Sequence, residues 1–177
     1  MFGRIQNIDN RVLERIGKIH KPALNKIMIF ASRAGNLGLV WWAICIPFLI
    51  RPDWRLTGLN IVFGLALAHL MGEVILKHIV KRVRPCHSLG DDEQLINRPR
   101  FYSFPSGHTT ASFAVVGVVL LRCRLITFLP ILMLAALIGF SRIYLRVHYL
   151  TDVVCGVLLG FVCGVCSVLV FNAIIPV

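Results

Sequence analysis

Charged residues are scarce in this chain, and acidic ones are the scarcest. Asp, Glu, Lys and Arg together make up 15% of the 177 residues, with 8 acidic against 19 basic side chains. Hydrophobic residues make up 57% of the chain, and the mean hydropathy is +0.78. So little charge in so apolar a sequence excludes a soluble domain of this length. The net charge of +11 does not indicate a nucleic-acid-binding surface, because most of the chain is predicted to lie in lipid.

The chain also lacks the segments that divide or target a protein. It contains no Pro/Gly/Ser-rich or highly charged linker, no low-complexity segment and no convincing repeat. Residues 1–177 are therefore predicted to form a single membrane-embedded domain. No uninterrupted apolar core and no small-residue cleavage site follow the basic start, which argues against a signal peptide.

Clusters of metal ligands are missing too. Asp91, Asp92 and Glu93 are consecutive in a polar loop without helical or strand partners, so solvation is their best interpretation. Cys163 and Cys166 have the spacing of a redox or metal pair, but they lie in an apolar run and are predicted to pack between helices. We expect neither a metal nor another cofactor.

Apolar runs long enough to cross about 30 Å of hydrocarbon dominate what remains. The predicted fold is all-α: an integral membrane bundle of five or six transmembrane helices, preceded by an amphipathic helix at the membrane surface. Whether there are five or six spans depends on residues 24–34, which are apolar but short. They either lie at the interface or form half of a hairpin. The surface helix is predicted at 4–20. The five spans common to both counts are predicted at 37–50, 56–80, 108–121, 126–144 and 150–171.

The long helix at 56–80 carries ionisable side chains deep in the membrane. His69, Glu73 and Lys77 recur every fourth residue and therefore share one stripe. Such residues are costly in lipid unless they face a protein interior or a polar site. Glu73 either forms a simple helix pair with Lys77 or takes part in catalysis directly, and His69 is interpreted as structural.

Two further features have structural interpretations. Gly156, Gly160 and Gly164 recur at four-residue spacing in the last span, which predicts close helix packing within the bundle and leaves the oligomeric state open. The polar loop 86–103 is long enough to close over a substrate, although a solvated connector is its default interpretation.

The turn at the start of the 108–121 span is suited to hold an anion. Pro105 pre-sets φ, Ser106 is a good N-cap, and Gly107 lets backbone approach a ligand closely. The free N–H groups and the dipole of the helix favour negative charge at that end. His108 adds a group that exchanges a proton near neutral pH.

Three separate pieces of sequence bring polar side chains to one face of the membrane. Lys77 and Arg84 are seven residues apart and project from one face if the helix continues that far. Consecutive antiparallel spans return the chain to the same side for the later residues, where His148 and Asp152 are one helical turn apart. The set comprises Lys77, Arg84, Ser106, Gly107, His108, Ser141, Arg142, His148 and Asp152.

The spacing within this set is specific. It comprises Lys77, six residues and Arg84-Pro85; then Pro105-Ser106-Gly107-His108; then Ser141-Arg142, five residues, His148, three residues and Asp152. Over residues 77–152 this pattern resembles the three-part signature of the type-2 phosphatidic acid phosphatase superfamily. The resemblance implies a helical bundle and a metal-independent phosphohydrolase.

The resemblance also assigns roles to individual residues. His148 would attack phosphorus to give a phosphohistidine, Asp152 would hold and polarise it, and His108 would protonate the leaving oxygen. Fixed cations and backbone donors would stabilise the charge that a phosphoryl transition state spreads over its equatorial oxygens. The phosphate-binding residues would be Lys77, Arg84, Ser106, Gly107, Ser141 and Arg142.

The phosphate signature does not identify the lipid. The chain resembles bacterial membrane phosphatases that act on polyprenyl diphosphate, phosphatidylglycerol phosphate or lipid A phosphate, and polyprenyl diphosphate or a related ester is favoured. The membrane character argues against the soluble vanadium haloperoxidases of the same superfamily. The expected partners are a phospholipid or polyprenyl phosphate substrate and the lipid bilayer.

Two predictions of orientation conflict. With five spans, 15 lysines and arginines lie on the side of the site against 4 on the other, and the positive-inside rule favours a cytoplasmic site. The resemblance implies the outer, periplasmic face of a bacterial inner membrane, which we adopt because several of those cations would bind phosphate. With six spans, the seven basic residues of 1–33 move to the opposite side and most of the conflict disappears.

Two other classes of function share parts of the pattern. A phosphotransferase would form the same phosphohistidine but pass the phosphoryl group to an alcohol. A haem-binding or transport protein would need histidines that face each other at mid-membrane depth, whereas His108 and His148 lie at span ends.

Overall fold

The computed structural model describes residues 2–90, 94–100 and 102–175. Within these ranges the regular elements are all helical, which confirms the predicted all-α class. A π-helical stretch, Leu70–Leu76, joins the fourth helix to the fifth. The α-helices are α1 (Phe2–Gly17), α2 (Pro22–Ala34), α3 (Leu39–Ile50), α4 (Arg55–His69), α5 (Lys77–Val80), α6 (Gly107–Arg122), α7 (Leu125–Tyr144) and α8 (Leu150–Ile174).

Among the described residues, three helical runs are long and apolar enough to cross a membrane. These are Pro52–Val80, Leu125–Tyr144 and Leu150–Ile174. Pro22–Ala34 and Asn36–Ile50 pass the same test together, as one run bent by 55°. Since α6 is also apolar, though only 16 residues long, the bundle is that of an integral membrane protein.

Helix α2 lies at one end of the bundle. It starts beside the last residue of α7, where the Tyr144 hydroxyl donates to Asn25 Oδ1 at 2.6 Å. Its last turn is still at that end, because Arg142 of α7 donates to the Ser32 hydroxyl. Only then does the chain run along α4 as α3. Residues 24–34 thus lie at the end of the bundle where α7 ends, and the number of spans, five or six, stays a prediction.

Helix α1 is found at the same end as the start of α8. The Thr151 N–H of α8 donates to Asp9 Oδ1 of α1 at 3.0 Å. Ile5 and Ile8 on α1 are exposed, as suits a helix that rests on a membrane surface. The predicted helix at 4–20 therefore exists with slightly different bounds, and its interfacial position stays a prediction.

The long fourth span differs from the uniform helix predicted at 56–80. Its π-helical stretch contains Glu73, and the helix ends where Lys81 adopts a φ of 50°. Arg84 therefore lies beyond the helix in extended backbone. The prediction that Arg84 and Lys77 share a helical face is wrong, although both side chains still reach the same site.

The core of the bundle surrounds α6. Val115 and Val118 of α6 are fully buried, in one cluster with side chains of α3, α4, α7 and α8. Helix α8 approaches α6 so closely that a Cβ on Gly160 would lie 2.2 Å from a carbonyl oxygen of α6. A Cβ on Gly164 would lie 2.1 Å from the Ala114 carbonyl oxygen. The prediction that these glycines pack within the bundle is confirmed.

Replacing Gly164 by alanine is expected to destabilise the protein by roughly 1–3 kcal/mol, because two helix backbones must separate to admit the methyl group. Thermal unfolding in detergent measures the change. Gly64→Ala is the matched control, since its Cβ would find its nearest neighbour at 3.6 Å. Equal melting temperatures for the two variants would contradict the prediction.

Candidate active site

Four helix ends meet where the polar side chains collect. Helix α5 ends, α6 begins, α7 ends and α8 begins at this point, as antiparallel spans require. Lys77, Arg84 and Arg142 are only 4–5% exposed, and His148 is 2% exposed. Three cations taken out of water at one place repel each other unless an anion lies between them, so the site is suited to bind one.

The strongest constraint on His148 comes from Arg84. Arg84 Nη1 donates to the Val147 carbonyl oxygen at 2.9 Å and lies 2.8 Å from His148 Nε2. A guanidinium group only donates, so Nε2 must accept and be unprotonated. The proton of the neutral imidazole is then on Nδ1. The nitrogen that carries the electron pair, here accepting the Arg84 N–H, therefore faces the cations.

The pKa of His148 lies well below its ordinary value, because the imidazole is buried and because Arg84, Arg142 and Lys77 are close to it. A lowered histidine pKa means that the ring is neutral at neutral pH. The ring gains a proton only when the pH falls through this lowered pKa. His148 is thus kept in the form that can act as a nucleophile well into the acidic range.

Asp152 lies on the other side of the imidazole. Its Oδ2 is 3.6 Å from His148 Nδ1, which is longer than a hydrogen bond, and it accepts the Tyr149 N–H at 2.9 Å. Its Oδ1 accepts from Arg82 Nη1 at 2.7 Å. Asp152 is fully buried, so these partners offset the cost of removing its charge from water.

The start of α6 departs from the predicted capping. Ser106 occupies the N-cap position, but its hydroxyl accepts from Thr109 Oγ1 at 2.9 Å and makes no side-chain cap. The Ser106 N–H donates to the Asp152 carbonyl oxygen at 3.1 Å. The first free donors of the helix are therefore those from Gly107 onwards.

Glu73 occupies the space beside that helix start. A Cβ on Gly107 would lie 2.0 Å from Glu73 Oε1, so only glycine admits the carboxylate here. Lys77 Nζ lies 2.7 Å from Oε1 and 2.6 Å from Oε2. The predicted Glu73–Lys77 helix pair is present. It also places a carboxylate where a bound anion would meet Lys77 and the N-terminus of α6.

His108 projects from the first turn of α6 toward the bend between α2 and α3. Its Nε2 is 2.9 Å from Asn36 Oδ1. A Cβ on Gly35 would lie 2.8 Å from the imidazole, so this glycine leaves room for the ring. The segment before α3 thus forms one wall of the site.

The two predicted residues at the end of α7 differ in their availability. Arg142 Nη1 donates to the Ser32 hydroxyl, while Arg142 Nε is buried without a hydrogen-bond partner among the described residues. Ser141 donates its hydroxyl proton to the Ile138 carbonyl oxygen at 2.7 Å. The structure therefore offers the Arg142 guanidinium to an anion, but not the Ser141 hydroxyl proton.

The loop after Arg84 folds back on itself over its described part. Gln94 Nε2 donates to the Cys86 carbonyl oxygen at 3.1 Å, and Arg98 Nη2 donates to the Leu89 carbonyl oxygen at 2.7 Å. The predicted solvation of residues 91–93 concerns positions outside the described residues. Closure of the 86–103 loop over a substrate stays a prediction.

Residues 57–176 match the model of the PAP2 superfamily, and this range includes all nine predicted site residues. This chain belongs to the PAP2 superfamily. Curated relatives agree. An undecaprenyl-diphosphatase of Sulfolobus acidocaldarius is 32% identical over 163 residues, which cover 90% of this chain and 78% of the relative. Phosphatidylglycerophosphatase B of Bacillus subtilis is 31% identical over 172 residues, which cover 88% of this chain and 79% of the relative.

Solved structures give the same assignment. LpxE of Aquifex aeolicus superposes on this chain with a TM-score of 0.79 at 26% identity, covering 90% of this chain and 94% of LpxE. The resemblance drawn from residues 77–152 is confirmed. The chain is a membrane-embedded lipid phosphatase of the PAP2 superfamily.

Sequence reasoning missed three side chains of this PAP2 site. Arg82 lies between Lys77 and Arg84, and the spacing of the signature gave no reason to assign Arg82 a role of its own. Asp9 falls on the apolar stripe of α1, and an acidic residue on an apolar stripe was the available signal. Asn36, which meets His108, has no signal in the sequence, because the bend that brings it there depends on packing.

Proposed function

We propose that this PAP2 phosphatase hydrolyses a polyprenyl diphosphate or a related lipid phosphate ester through a phosphohistidine on His148. The observation that carries the proposal is the contact between Arg84 Nη1 and His148 Nε2, because it leaves Nε2 unprotonated beside three cations. A phosphate that binds those cations would draw the Arg84 N–H from Nε2 onto its own oxygens, which frees the electron pair of the ring to attack phosphorus.

The first step transfers the phosphoryl group to the enzyme. His148 Nε2 attacks phosphorus and the bond from phosphorus to the leaving oxygen breaks. His108, which must take up a proton when the negatively charged phosphate binds beside it, gives that proton to the leaving oxygen. The imidazole becomes positively charged as the nitrogen–phosphorus bond forms, and the Asp152 carboxylate 3.6 Å from Nδ1 stabilises it.

The second step returns the enzyme to its starting state. His108, now neutral, takes a proton from a water molecule as the water oxygen attacks phosphorus. The nitrogen–phosphorus bond breaks, and inorganic phosphate leaves with His148 neutral again. Lys77, Arg84, Arg142 and the N-terminal N–H groups of α6 would stabilise the equatorial oxygens in both transition states without a metal.

The nature of the lipid rests on the relatives. The two curated relatives are named for undecaprenyl diphosphate and phosphatidylglycerophosphate, and they match this chain to nearly the same degree. The polyprenyl diphosphate is the substrate that we favour, and phosphatidylglycerol phosphate and lipid A phosphate are the alternatives.

The site is proposed to face the periplasmic side of a bacterial inner membrane. The proposal rests on the resemblance to the family. Lys77, Arg84 and Arg142 are buried in the site, so these three of the 15 basic residues on that side do not act as topogenic loop charges. Asn97→Cys, in the loop at the site end, tests this proposal with a membrane-impermeant maleimide. Labelling of intact spheroplasts is expected, and labelling only after lysis would place the site in the cytoplasm.

Phosphate release by the detergent-purified protein, in the presence of EDTA, tests the reaction. The panel comprises undecaprenyl diphosphate, phosphatidylglycerol phosphate, phosphatidic acid and lipid A. Release from undecaprenyl diphosphate with the highest kcat/KM is expected. Activity that EDTA abolishes would contradict the metal-free mechanism, and label passed to an added alcohol instead of water would indicate a phosphotransferase.

Glu73→Gln is expected to tighten the binding of inorganic phosphate by about tenfold, because the carboxylate competes with phosphate for Lys77 and the α6 N-terminus. The inhibition constant of phosphate measures this effect. Asp53→Asn is the matched control, since Asp53 is an exposed acidic residue between α3 and α4. Weaker inhibition of the Glu73 variant would show instead that Glu73 holds Lys77 in place for the substrate.

A further inference from the structure

A buried network joins α1 to Asp152. Arg82 lies between two fully buried carboxylates: its Nη2 donates to Asp9 Oδ2 at 2.7 Å, and its Nη1 donates to Asp152 Oδ1 at 2.7 Å. The ring of Tyr149 lies 3.9 Å from the guanidinium carbon. The two arms of the guanidinium and its flat face are therefore all engaged, and its orientation is fixed.

Asp9 is itself held from the side of α8. The Thr151 N–H donates to Asp9 Oδ1 at 3.0 Å, and the Thr151 hydroxyl donates to Asp9 Oδ2 at 2.6 Å. A carboxylate on the apolar stripe of a surface helix is costly unless such partners surround it. The first helix of the chain is thus attached to the active-site end by a buried ion pair as well as by apolar contacts.

The network restricts the carboxylate that faces His148. Because Arg82 holds Oδ1 of Asp152, the carboxylate cannot turn about its Cβ–Cγ bond without losing a buried ion pair. Oδ2 is then left to the Tyr149 N–H at 2.9 Å and to His148 Nδ1 at 3.6 Å. A small closure of the last distance would complete a hydrogen bond when the imidazole becomes charged.

We propose that Asp9 and Arg82 are positioning residues of the phosphatase, which fix Asp152 against His148 and make α1 part of the catalytic unit. The inference rests on the proposed function of His148 as the nucleophile. The bonds of Asp9 and Arg82 run to α1 and α8, away from the phosphate-binding cations. Their loss therefore slows phosphoryl transfer and leaves substrate binding nearly unchanged.

The charges around His148 give the proposal a second readout. Asp9, Arg82 and Asp152 carry two negative charges and one positive charge, a net charge of −1, and Asp9→Asn leaves a net charge of zero. Less negative charge near the imidazole makes protonation harder, so the histidine gains its proton at a lower pH. The charged or titratable groups that face His148 from the surrounding elements are Lys77, Arg84, His108, Arg142 and Asp152.

Steady-state kinetics of the full-length protein in detergent micelles, with undecaprenyl diphosphate, tests the proposal. Asp9→Asn is expected to lower kcat by about 10- to 100-fold, by analogy with the loss of a partner that orients a metal-binding histidine. KM should stay within about twofold. The acid limb of kcat/KM should move to lower pH, a shift that loss of a merely structural contact would not cause.

Arg82→Lys separates geometry from charge. An ammonium group keeps the charge but cannot hold both carboxylates as a fork does, so kcat should fall while the acid limb stays in place. Tyr144→Phe is the matched control. It removes a hydroxyl that fastens α2 through Asn25 at 2.6 Å without touching Asp152, and its kcat should equal that of the wild type.

The outcomes are decisive in either direction. A folded Asp9→Asn protein with wild-type kcat, or an equal loss of kcat in Tyr144→Phe, overturns the proposal. If Asp9→Asn melts below the assay temperature, the kcat of Arg82→Lys decides. Activity of the wild type and its loss in His148→Ala are measured alongside, so that failure of the proposed function is told apart from failure of this inference.

Discussion

His148→Ala is expected to lower kcat by about 10³-fold or more, as removal of a nucleophile does in other enzymes. The variant lacks the unprotonated Nε2 that Arg84 holds toward the phosphate pocket at 2.8 Å. Initial rates of phosphate release, measured with enzyme concentrations matched by folded fraction, give the size of the loss. Incubation with labelled substrate and rapid quenching should also show no covalent phosphoprotein, whereas the wild type should accumulate one.

His78→Ala is the matched control for this variant. His78 is an exposed histidine one residue after Lys77, and its Nδ1 contacts the Val74 carbonyl oxygen at 3.0 Å. Its replacement should leave kcat unchanged. Substantial phosphatase activity in well-folded His148→Ala would remove His148 from the role of nucleophile.

Arg142→Gln is expected to lower kcat/KM by about 10²- to 10³-fold, the usual cost of losing one donor to a developing oxyanion. Arg142 is buried among like charges, and its Nε has no hydrogen-bond partner among the described residues. Removal of one of three neighbouring cations relieves repulsion in the unliganded protein. The melting temperature should therefore stay equal to that of the wild type or rise.

Arg122→Gln is the control at the opposite end of α6. Arg122 Nε donates to Asn60 Oδ1 at 3.0 Å, far in the fold from the site, so activity should persist. An Arg142→Gln protein that melts at a much lower temperature than the wild type would show that Arg142 acts mainly in stability.

The parts of the site that could be predicted are those set by local spacing. His148 and Asp152 are one helical turn apart, and the turn before α6 has the composition of an anion-binding helix start. Antiparallel spans then bring these segments together whatever the details of packing. The approximate positions of the helices could also be predicted, because an apolar run long enough to cross a membrane can do so only as a helix or as part of a closed barrel.

The parts that could not be predicted depend on distant contacts. Asp9 meets Arg82 across 73 residues and Thr151 across 142, and no periodic pattern encodes such pairs. The route of Arg84 into the site depends on the left-handed residue Lys81, which ends the helix earlier than the apolar pattern indicates. The capping role of Ser106 fails because Thr109 donates to its hydroxyl instead.

The shortness of α6 sets the depth at which chemistry takes place. Sixteen residues extend about 24 Å along the helix axis, which is less than the about 30 Å of hydrocarbon in a bilayer. The first turn of α6 therefore lies below the plane of the headgroups if the other end reaches the opposite surface. A substrate anchored by its own chains reaches the site by lateral diffusion and has only to lower its phosphate from the headgroup plane, while a water-soluble ester would have to leave water entirely. We therefore expect the short α6 to favour membrane-anchored phosphate esters over water-soluble ones.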